Sequence, residues 1–306
     1  MKCINKWICL SLLIAVSCVS GCGKTSAAIE QPYDVYATAA DFGLSSNGTA
    51  EAKSYFASDL CVSEDVAIGT DSTDSQVAEG AGTFNLETNT VVYAKNLYER
   101  LYPASTTKIL TAYIALKYCD DLDAMVTVSE NAVNQASDSS VCNLKAGDVI
   151  RLRDLLYGLM LRSGNDAAVA IAEYISGDVD SFAALMNQEA AAMGATRSHF
   201  VNPNGLPDEN HYTCVYDMYL IFSNAIKNDT FVSIIGTTSY DVTYTDASGE
   251  AVTHTWENTN QYLTGNATTP DGFQIVGGKT GTTGEAGYCL VLYSYNPSGQ
   301  PIISIV

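Results

Sequence analysis

Positive charge is scarce in this sequence. Its 306 residues include 15 lysines and arginines against 34 aspartates and glutamates, which gives a formal net charge of −19. A protein with this charge repels the phosphates of nucleic acids and the headgroups of anionic lipids. The composition therefore argues against nucleic acid as a partner. It leaves polar or cationic substrates open.

The sequence also lacks the patterns that disulfide frameworks and metal sites require. Its nine cysteines include no CxxC pair, and an odd number, five, follow Cys22. We therefore expect mostly buried thiols, with room for one bridge at most. There are three histidines. His211 and Cys214 have a spacing that could ligate zinc, but no second pair accompanies them, so we expect neither a metal nor a cofactor.

The apolar run near the N-terminus, residues 7–16, is too short to cross a bilayer comfortably. It follows Lys2 and Lys6 and has the length of a signal-peptide core. The next residues, "VSGC", resemble the lipobox of bacterial lipoproteins, in which Cys22 is lipidated after cleavage. We predict a lipoprotein signal peptide over residues 1–21 and an exported, lipid-anchored protein. An ordinary cleaved signal peptide is the alternative.

Residues 22–54 are rich in small and polar residues without sustained periodicity, which predicts a lipidated N-terminus followed by a flexible tether. Residues 55–306 are then the catalytic domain. The residues 82–96, "GTFNLETNTVVYAKN", predict two strands with a polar turn at residues 87–89. The middle of the chain predicts helices, among them one from Ser105 to about Tyr118 and two interrupted at residues 163–165. The last third alternates as strands, so we predict an α+β domain.

One hydroxyl and one amine stand a helical turn apart at the start of an apolar helix. Residues 102–116 read "YPASTTKILTAYIAL", in which Ser105 and Lys108 form the single SxxK of the chain. Residues i and i+3 share a helix face, so the two groups can meet. A serine hydroxyl needs a base to become a nucleophile. A capping serine beside a solvated lysine is the alternative, although the apolar helix leaves little room for it.

Two further motifs follow along the chain. Lys279-Thr280-Gly281 closes the apolar strand "FQIVGGKT" and is the single KTG. A lysine at the end of a buried strand could face a bound anion. Ser163-Gly164-Asn165 is one of four SxN triplets, but it is the one that lies on a tight turn between two helices and between the other two motifs.

The order SxxK, SxN, KTG resembles that of the serine penicillin-recognising enzymes. The wider segments "DLLYGLMLRSGNDAAVAIAE", "HFVNPNGLPDENHY" and "GGKTGTTGEAGYCLV" are similar to those of the D-alanyl-D-alanine carboxypeptidases of peptidase family S11, over roughly residues 78–306. The resemblance implies a penicillin-binding or β-lactamase-like fold, with an antiparallel sheet flanked by helices and a helical subdomain.

The resemblance also implies a mechanism. Ser105 attacks the carbonyl of the penultimate D-Ala of a peptidoglycan stem peptide, D-Ala leaves, and water releases the acyl-enzyme. Lys108 is the base. A second ammonium about 4 Å away, supplied by Lys279, costs about 4 kcal/mol at an effective dielectric near 20, or about three pKa units. Burial helps to lower the pKa further. Ser163 relays a proton to the leaving amine.

The binding roles are likewise implied by the resemblance. Asn165 holds an amide of the substrate, and the terminal carboxylate binds at the KTG motif and the residue after it, namely Lys279, Thr280, Gly281 and Thr282. The backbone N–H groups of Ser105 and Thr282 form the oxyanion hole. Partners are a stem peptide ending in D-Ala-D-Ala, β-lactams as acylating inhibitors, and the membrane through the lipid, with the domain facing the cell wall.

Three other functions are weighed against this one. A class A β-lactamase has SDN at the second motif and a glutamate in an ExxLN context, whereas this chain has Gly164 and no ExxLN. A D,D-endopeptidase differs in cleft shape, and a catalytically silent, wall-binding protein would need a defect in the fold. Relatives often carry a further β-domain and a C-terminal amphipathic helix. Here the sequence stops at "PIISIV", which indicates either that the lipid replaces that anchor or that the sequence is truncated.

Overall fold

The computed structural model describes residues 57–69 and 77–306. The predicted signal peptide, Cys22 and the predicted tether lie outside the described residues, and these assignments stay predictions. The same holds for the start of the catalytic domain at residue 55. Residues Asp59–Val306 pack as one unit.

The larger sheet joins the two ends of the described chain. Its strands run antiparallel in the order β2-β1-β9-β8-β7. They are β1 (Ala81–Asn85), β2 (Thr90–Lys95), β7 (Gln274–Thr283), β8 (Gly287–Tyr295) and β9 (Pro301–Ile305). The predicted β1–β2 hairpin is confirmed. Its turn forms because the side chain of Asn85 accepts the backbone N–H groups of Glu87 and Thr88, and Asn89 adopts a positive φ of 52°.

The helices form the second layer. The helical elements are a 3-10 turn (Ala104–Thr107), α1 (Lys108–Tyr118), α2 (Glu130–Val133), α3 (Leu152–Leu161), α4 (Asn165–Ser176), α5 (Val179–Ala192), α6 (Val215–Ala225) and α7 (Asp229–Ile235). The predicted interruption between α3 and α4 is confirmed. Helix α1 contacts α3, α4, α5 and α6, so it is buried along most of its length.

A smaller sheet of four strands covers one end of the helices. It has the order β3-β4-β5-β6, with β3 (Met125–Thr127), β4 (Val149–Arg151), β5 (Ser239–Thr245) and β6 (Ala251–Glu257). The sequence predicted β5 and β6 as strands but not a separate sheet. Strands β3 and β4 have three residues each, which is too short to show the alternation that identifies a strand.

Helix α5 ends at Ala192, two residues before Gly194, which has φ 84°. The prediction of mostly buried thiols is confirmed. All five cysteines of the described residues are free thiols, and Cys61, Cys142 and Cys214 are buried among apolar side chains. Within residues 57–69 and 77–306, no helix combines the length and apolar character needed to cross a membrane.

Candidate active site

Ser105 and Lys108 meet as their spacing predicts. Ser105 lies in the 3-10 turn and Lys108 begins α1, so one helical turn joins them, and Lys108 Nζ lies 2.9 Å from Ser105 Oγ. The serine side chain is partly exposed, whereas Lys108 is fully buried. The amine is therefore an internal group, and the alternative of a solvated lysine is wrong.

The turn that carries Ser105 is held by an unusual backbone contact. Ala104 has φ 47°, a left-handed conformation that costs a non-glycine residue about 1–2 kcal/mol. The loop residue Gly205, with φ 89°, packs so closely that a Cβ there would lie 1.8 Å from the carbonyl oxygen of Ala104. Only glycine fits this position. The loop thus packs against the turn that carries Ser105 and holds it in place.

Three oxygen atoms surround the Lys108 amine. Besides Ser105 Oγ, they are Asn165 Oδ1 at 2.8 Å and the backbone carbonyl oxygen of Asn204 at 2.6 Å. Burial lowers the pKa of Lys108 well below its usual value, and the charge of Lys279 lowers it further. The sequence argument ranked these causes in the reverse order. Desolvation dominates because no solvent reaches an amine that is completely enclosed.

Lys279 stands on the opposite wall of the site, on β7. Its Nζ donates to Ser163 Oγ at 3.0 Å and to the carbonyl oxygen of Thr280 at 2.8 Å. The side chain is 1% exposed, and burial lowers its pKa to about 7.

The end of strand β7 differs from the prediction. The KTG motif was expected to close the strand, but β7 continues to Thr283, because residues 279–283 stay paired with β8.

Gly281 allows β7 to approach the nucleophile. A Cβ at this position would lie 3.0 Å from the backbone nitrogen of Ser105 and 3.1 Å from the Cβ of Ala104. The close approach places the strand edge, with Thr280 and Thr282, beside the serine. Gly281 therefore contributes by its lack of a side chain. The substrate contact that the resemblance implies for Gly281 stays a prediction.

The turn between α3 and α4 presents the second motif. Ser163 has φ 60° and Asn165 is the first residue of α4, so both side chains face the lysines. Asp166, buried in the first turn of α4, accepts the backbone N–H groups of Cys142 and Leu144. It therefore fixes the loop at residues 140–144 against the motif. Burial raises the pKa of Asp166, and these N–H groups oppose the rise.

Two cavities meet at Ser105. The first, of about 410 Å³, lies on the Lys279 side and is lined by Ser163, Asn260, Thr280 and Thr282 among others. The second, of about 370 Å³, lies on the side of Asn165 and Gly205, and Ser105 and Thr282 line both. The serine thus sits in the middle of a cleft with room for a peptide on either side.

His211 and Cys214 have roles inside the fold. His211 is fully buried, its Nε2 lies 2.9 Å from Thr107 Oγ1, and its Nδ1 accepts the N–H of Val201. Burial lowers its pKa to about 4. Cys214 caps α6 by accepting the N–H of Asp217. Both ring nitrogens of His211 are occupied, and within the described residues no group of three metal-ligating side chains occurs.

Sequence reasoning missed three contributors to the site. They are the Asn204 carbonyl, Gly205 and Asp166, which act through backbone atoms or behind the motif. The loop of residues 199–212 contacts the Lys108 amine directly, through the carbonyl oxygen of Asn204. The "NPNG" turn was the signal for it, because Asn–Gly sequences adopt positive φ angles.

The arrangement defines a class of chemistry. A serine hydroxyl bonded to a buried amine, with a second amine and a second hydroxyl across the cleft, is the constellation of a serine acyltransferase. The fold carries it between an antiparallel sheet and a helical layer. This is the arrangement of the penicillin-recognising enzymes.

Comparisons with known proteins agree. Residues 69–306 match the family model of the D-alanyl-D-alanine carboxypeptidases, peptidase S11. The chain is 35% identical to D-alanyl-D-alanine carboxypeptidase DacF of Bacillus subtilis over 218 residues, which are 70% of this chain and 53% of that protein. It is 36% identical to the D-alanyl-D-alanine carboxypeptidase of Streptomyces strain K15 over 239 residues, which are 75% and 80% of the two chains.

The solved structures that resemble it carry the same fold. The crystal structure of the Streptomyces K15 DD-transpeptidase superposes with a TM-score of 0.69 at 35% identity, covering 75% of this chain and 88% of that one. The chain therefore belongs to the S11 peptidase family, and the predicted α+β, penicillin-binding fold is confirmed. The chain spans about half the length of DacF.

Proposed function

We propose that this protein is a serine D,D-carboxypeptidase that removes the terminal D-Ala from peptidoglycan stem peptides. The observation that carries the proposal is the 2.9 Å contact between Ser105 Oγ and the Nζ of Lys108, an amine whose pKa burial lowers well below its usual value. A lowered pKa favours the neutral amine, which is the form that can accept the serine proton. The family and its relatives supply the substrate class.

The geometry supports the following first half of the reaction. Neutral Lys108 takes the proton of Ser105 as the Oγ attacks the carbonyl carbon of the penultimate D-Ala. The oxyanion lies at the backbone N–H groups of Ser105 and Thr282, where each donor of this kind contributes about 3–4 kcal/mol. Gly281 supports this assignment because it brings β7 into contact with the Ser105 nitrogen.

The leaving amine then needs a proton. Ser163 Oγ accepts a hydrogen bond from Lys279 Nζ at 3.0 Å, so its own hydroxyl hydrogen can pass to the amine of the departing D-Ala. Ser163 then regains a proton from Lys108, the one that Lys108 took from Ser105, so Lys108 is neutral again when water attacks the acyl group. Asn165 keeps its Oδ1 on Lys108 and has its Nδ2 for the substrate's amide carbonyl. Charged Lys279, with Thr280 and Thr282, receives the terminal carboxylate. Water releases the acyl group in the second half.

β-Lactams fit the same assignment as inhibitors. Their strained amide carbonyl takes the place of the scissile carbonyl, and their carboxylate takes the place of the terminal one. The product is an acyl-enzyme on Ser105. A similar solved structure from Mycobacterium tuberculosis, described as a penicillin-binding protein homolog, supports this.

The test is release of D-alanine from acyl-Lys-D-Ala-D-Ala by the full-length protein in detergent, with Ser105→Ala as the matched control. We expect release by the wild type and a loss of at least about 10³-fold in the variant. Mass spectrometry should show one penicilloyl adduct on the wild type and none on the variant. A folded wild-type protein that forms the adduct but releases no D-alanine would point to an endopeptidase. One that does neither would be a silent binder.

The acyl acceptor is a second question, raised by a relative described as a DD-transpeptidase. In transpeptidation an amine replaces water as the group that attacks the acyl-enzyme. The same assay answers it when glycine or a D-amino acid is added. An exchanged peptide product that grows with acceptor concentration at the expense of hydrolysis would assign transpeptidase activity.

We also propose that the protein is a lipoprotein, exported and anchored to the cell membrane with its domain facing the wall. The support is the basic and apolar N-terminal segment that ends in "VSGC". Two or more acyl chains on Cys22 provide stable attachment. Metabolic labelling with a fatty-acid analogue should mark the wild type and leave Cys22→Ala unlabelled. Equal labelling of both would disprove the anchor.

A further inference from the structure

A short segment after β6, residues 258–260, joins the second and third motifs. The backbone N–H of Thr259 donates to the carbonyl oxygen of Leu161 at the end of α3, two residues before Ser163. The hydroxyls of Thr259 and Thr280 lie 2.6 Å apart, and Thr280 follows Lys279 directly. The segment therefore runs along the end of the cleft where the proposed carboxylate site lies.

Asn260 in this segment has a donor that the fold does not use. The residue is 1% exposed, and its Oδ1 accepts the N–H of Tyr262 at 3.1 Å. Its Nδ2 has no hydrogen-bond partner among the described residues. A buried donor left without a partner costs about 1–3 kcal/mol, so such groups are rare in folded proteins.

The position of Asn260 in the cleft suggests what its unused donor binds. Four buried side-chain groups of the described part of the chain lack a partner, on Tyr93, Ser139, Trp256 and Asn260. Of these residues, Asn260 lines the cavity of about 410 Å³ with Ser105, Ser163, Thr280 and Thr282, whereas Ser139 lines the cavity on the other side of Ser105. The Nδ2 atom is covered in the empty cleft, so the side chain has to turn toward the cavity for this donor to meet a carboxylate oxygen at the proposed carboxylate site.

Asn258, two residues earlier, shows what a purely structural asparagine looks like here. Its Nδ2 donates to the carbonyl oxygens of Thr237 at 2.9 Å and Ile235 at 3.4 Å, and its Oδ1 accepts the N–H of Asn260. Every polar atom of that side chain is bonded within the protein. The two asparagines are alike in burial and differ in the one unused donor.

We infer that Asn260 is a substrate-binding residue whose side-chain amide donates to the terminal carboxylate of the peptide. The inference rests on the proposed function. Lys279 supplies charge, which fades as its proton is lost, whereas the amide supplies a neutral and directional hydrogen bond at every pH. Binding of the carboxylate would satisfy the buried donor.

The experiment compares two peptides that differ at one group. They are acyl-Lys-D-Ala-D-Ala with a free carboxylate and the same peptide with a C-terminal carboxamide, and the release of D-alanine or D-alaninamide is followed by mass spectrometry. For Asn260→Ala we expect kcat/KM to fall about 10- to 100-fold on the carboxylate peptide, mainly through KM. On the carboxamide peptide it should change less than about threefold.

Asn260→Asp is the second variant, because it keeps an oxygen for the Tyr262 N–H and places a carboxylate where the donor was. We expect a loss on the carboxylate peptide at neutral pH that diminishes, relative to the wild type, as the pH falls and the new acid becomes protonated. Asn258→Ala is the matched control. It should lower the melting temperature and reduce activity on both peptides by the same factor.

The outcomes separate the inference from the function beneath it. Equal losses on the two peptides in both Asn260 variants would overturn the inference, as would selective loss in Asn258→Ala. If the wild type does not cleave the carboxamide peptide, the test is whether Asn260→Ala changes kcat or KM on the carboxylate peptide. A rise in KM would support carboxylate binding. A loss in kcat alone would count against carboxylate binding. A wild type that releases nothing from either peptide would instead refute the carboxypeptidase.

Discussion

Two buried lysines face each other across the cleft, one on the helical wall and one on the strand wall. Lys108 bonds three oxygens, of which one belongs to the nucleophile, and Lys279 bonds Ser163 and the carbonyl of its own neighbour. Burial lowers the pKa of both amines, but the charge of Lys279 acts on Lys108 in addition.

The difference in partners explains a division of labour. Burial alone lowers the pKa of Lys279 to about 7, whereas burial and the charge of Lys279 both lower the pKa of Lys108. Under the proposed function, the lysine on the helical wall is the base and the lysine on the strand wall is the carboxylate partner. Two residues of one type would then take different roles because different groups act on their pKa values.

Replacing each lysine by methionine, which has similar volume, should have the largest effect on activity and should affect different kinetic constants in the two variants. Lys108→Met removes the base, so kcat and the rate of β-lactam acylation should fall at least about 10³-fold. Lys279→Met removes the carboxylate partner, so KM should rise about 10- to 100-fold. It should also move the acidic limb of the kcat–pH profile upward, because Lys108 loses a repelling charge. Steady-state kinetics and acylation rates measure both effects.

Equal losses of kcat in both variants would contradict the division between base and cation. Each substitution leaves buried acceptor atoms without a donor, which lowers stability. The melting temperature of both variants should therefore be measured as a control.

The contact behind Ser105 can be tested with two glycines of the same conformation. Gly205 and Gly249 have φ of 89° and 90°, but a Cβ meets the Ala104 carbonyl at Gly205 and open space at Gly249. We expect Gly249→Ala to cost about 1 kcal/mol of unfolding free energy, and Gly205→Ala to cost at least about 2 kcal/mol and to lower kcat. Denaturant unfolding and kinetics of both variants measure this. Matching losses would mean that the contact adds nothing to the backbone strain.

Asn165→Asp tests how the surroundings of Lys108 determine its pKa. It places a negative charge at the atom 2.8 Å from Nζ, which favours the ammonium form and raises the pKa. We expect kcat at pH 7 to fall about tenfold and to recover as the pH rises. A loss of the same size at every pH would assign the effect to substrate contact rather than to the base.

The pH dependence of kcat/KM should show the two lysines as its two limbs. Below its pKa of about 7 Lys279 is charged and binds the carboxylate, and above it the charge is lost, so kcat/KM should decrease by about fivefold from pH 7 to 8. The acidic limb belongs to Lys108, which must be neutral. The alkaline limb should vanish in Lys279→Met. Its persistence there would assign it to another group.

The sequence predicted the parts of this site that depend on spacing. The i, i+3 spacing predicted that the side chains of Ser105 and Lys108 meet. The position on an interhelical turn identified Ser163 among four SxN triplets. It could not rank burial above the Lys279 charge, because the enclosure of Lys108 comes from residues 57 and 96 positions away, Asn165 and Asn204. Contacts made by backbone carbonyls leave no mark on side-chain identity.

The fold shows the same limit. The long alternating strands and the apolar helices were found, whereas β3 and β4 were missed because their formation depends on pairing with each other and with β5. The extension of β7 through the KTG motif was likewise invisible, since Thr282 and Thr283 are strand residues by virtue of their partner β8. Tertiary pairing, not local preference, determined these segments.

The position of β9 has a consequence for how the chain folds. This strand is the last in sequence yet pairs with β1 on one side and β8 on the other, so the hairpin at residues 81–95 joins the sheet only through residues 301–305. The contact spans more than 200 positions, which makes loop closure costly and folding slow. During synthesis β1 therefore gains its second neighbour only after residues 301–305 have been made, and until then this edge of the hairpin is open to pairing with another chain.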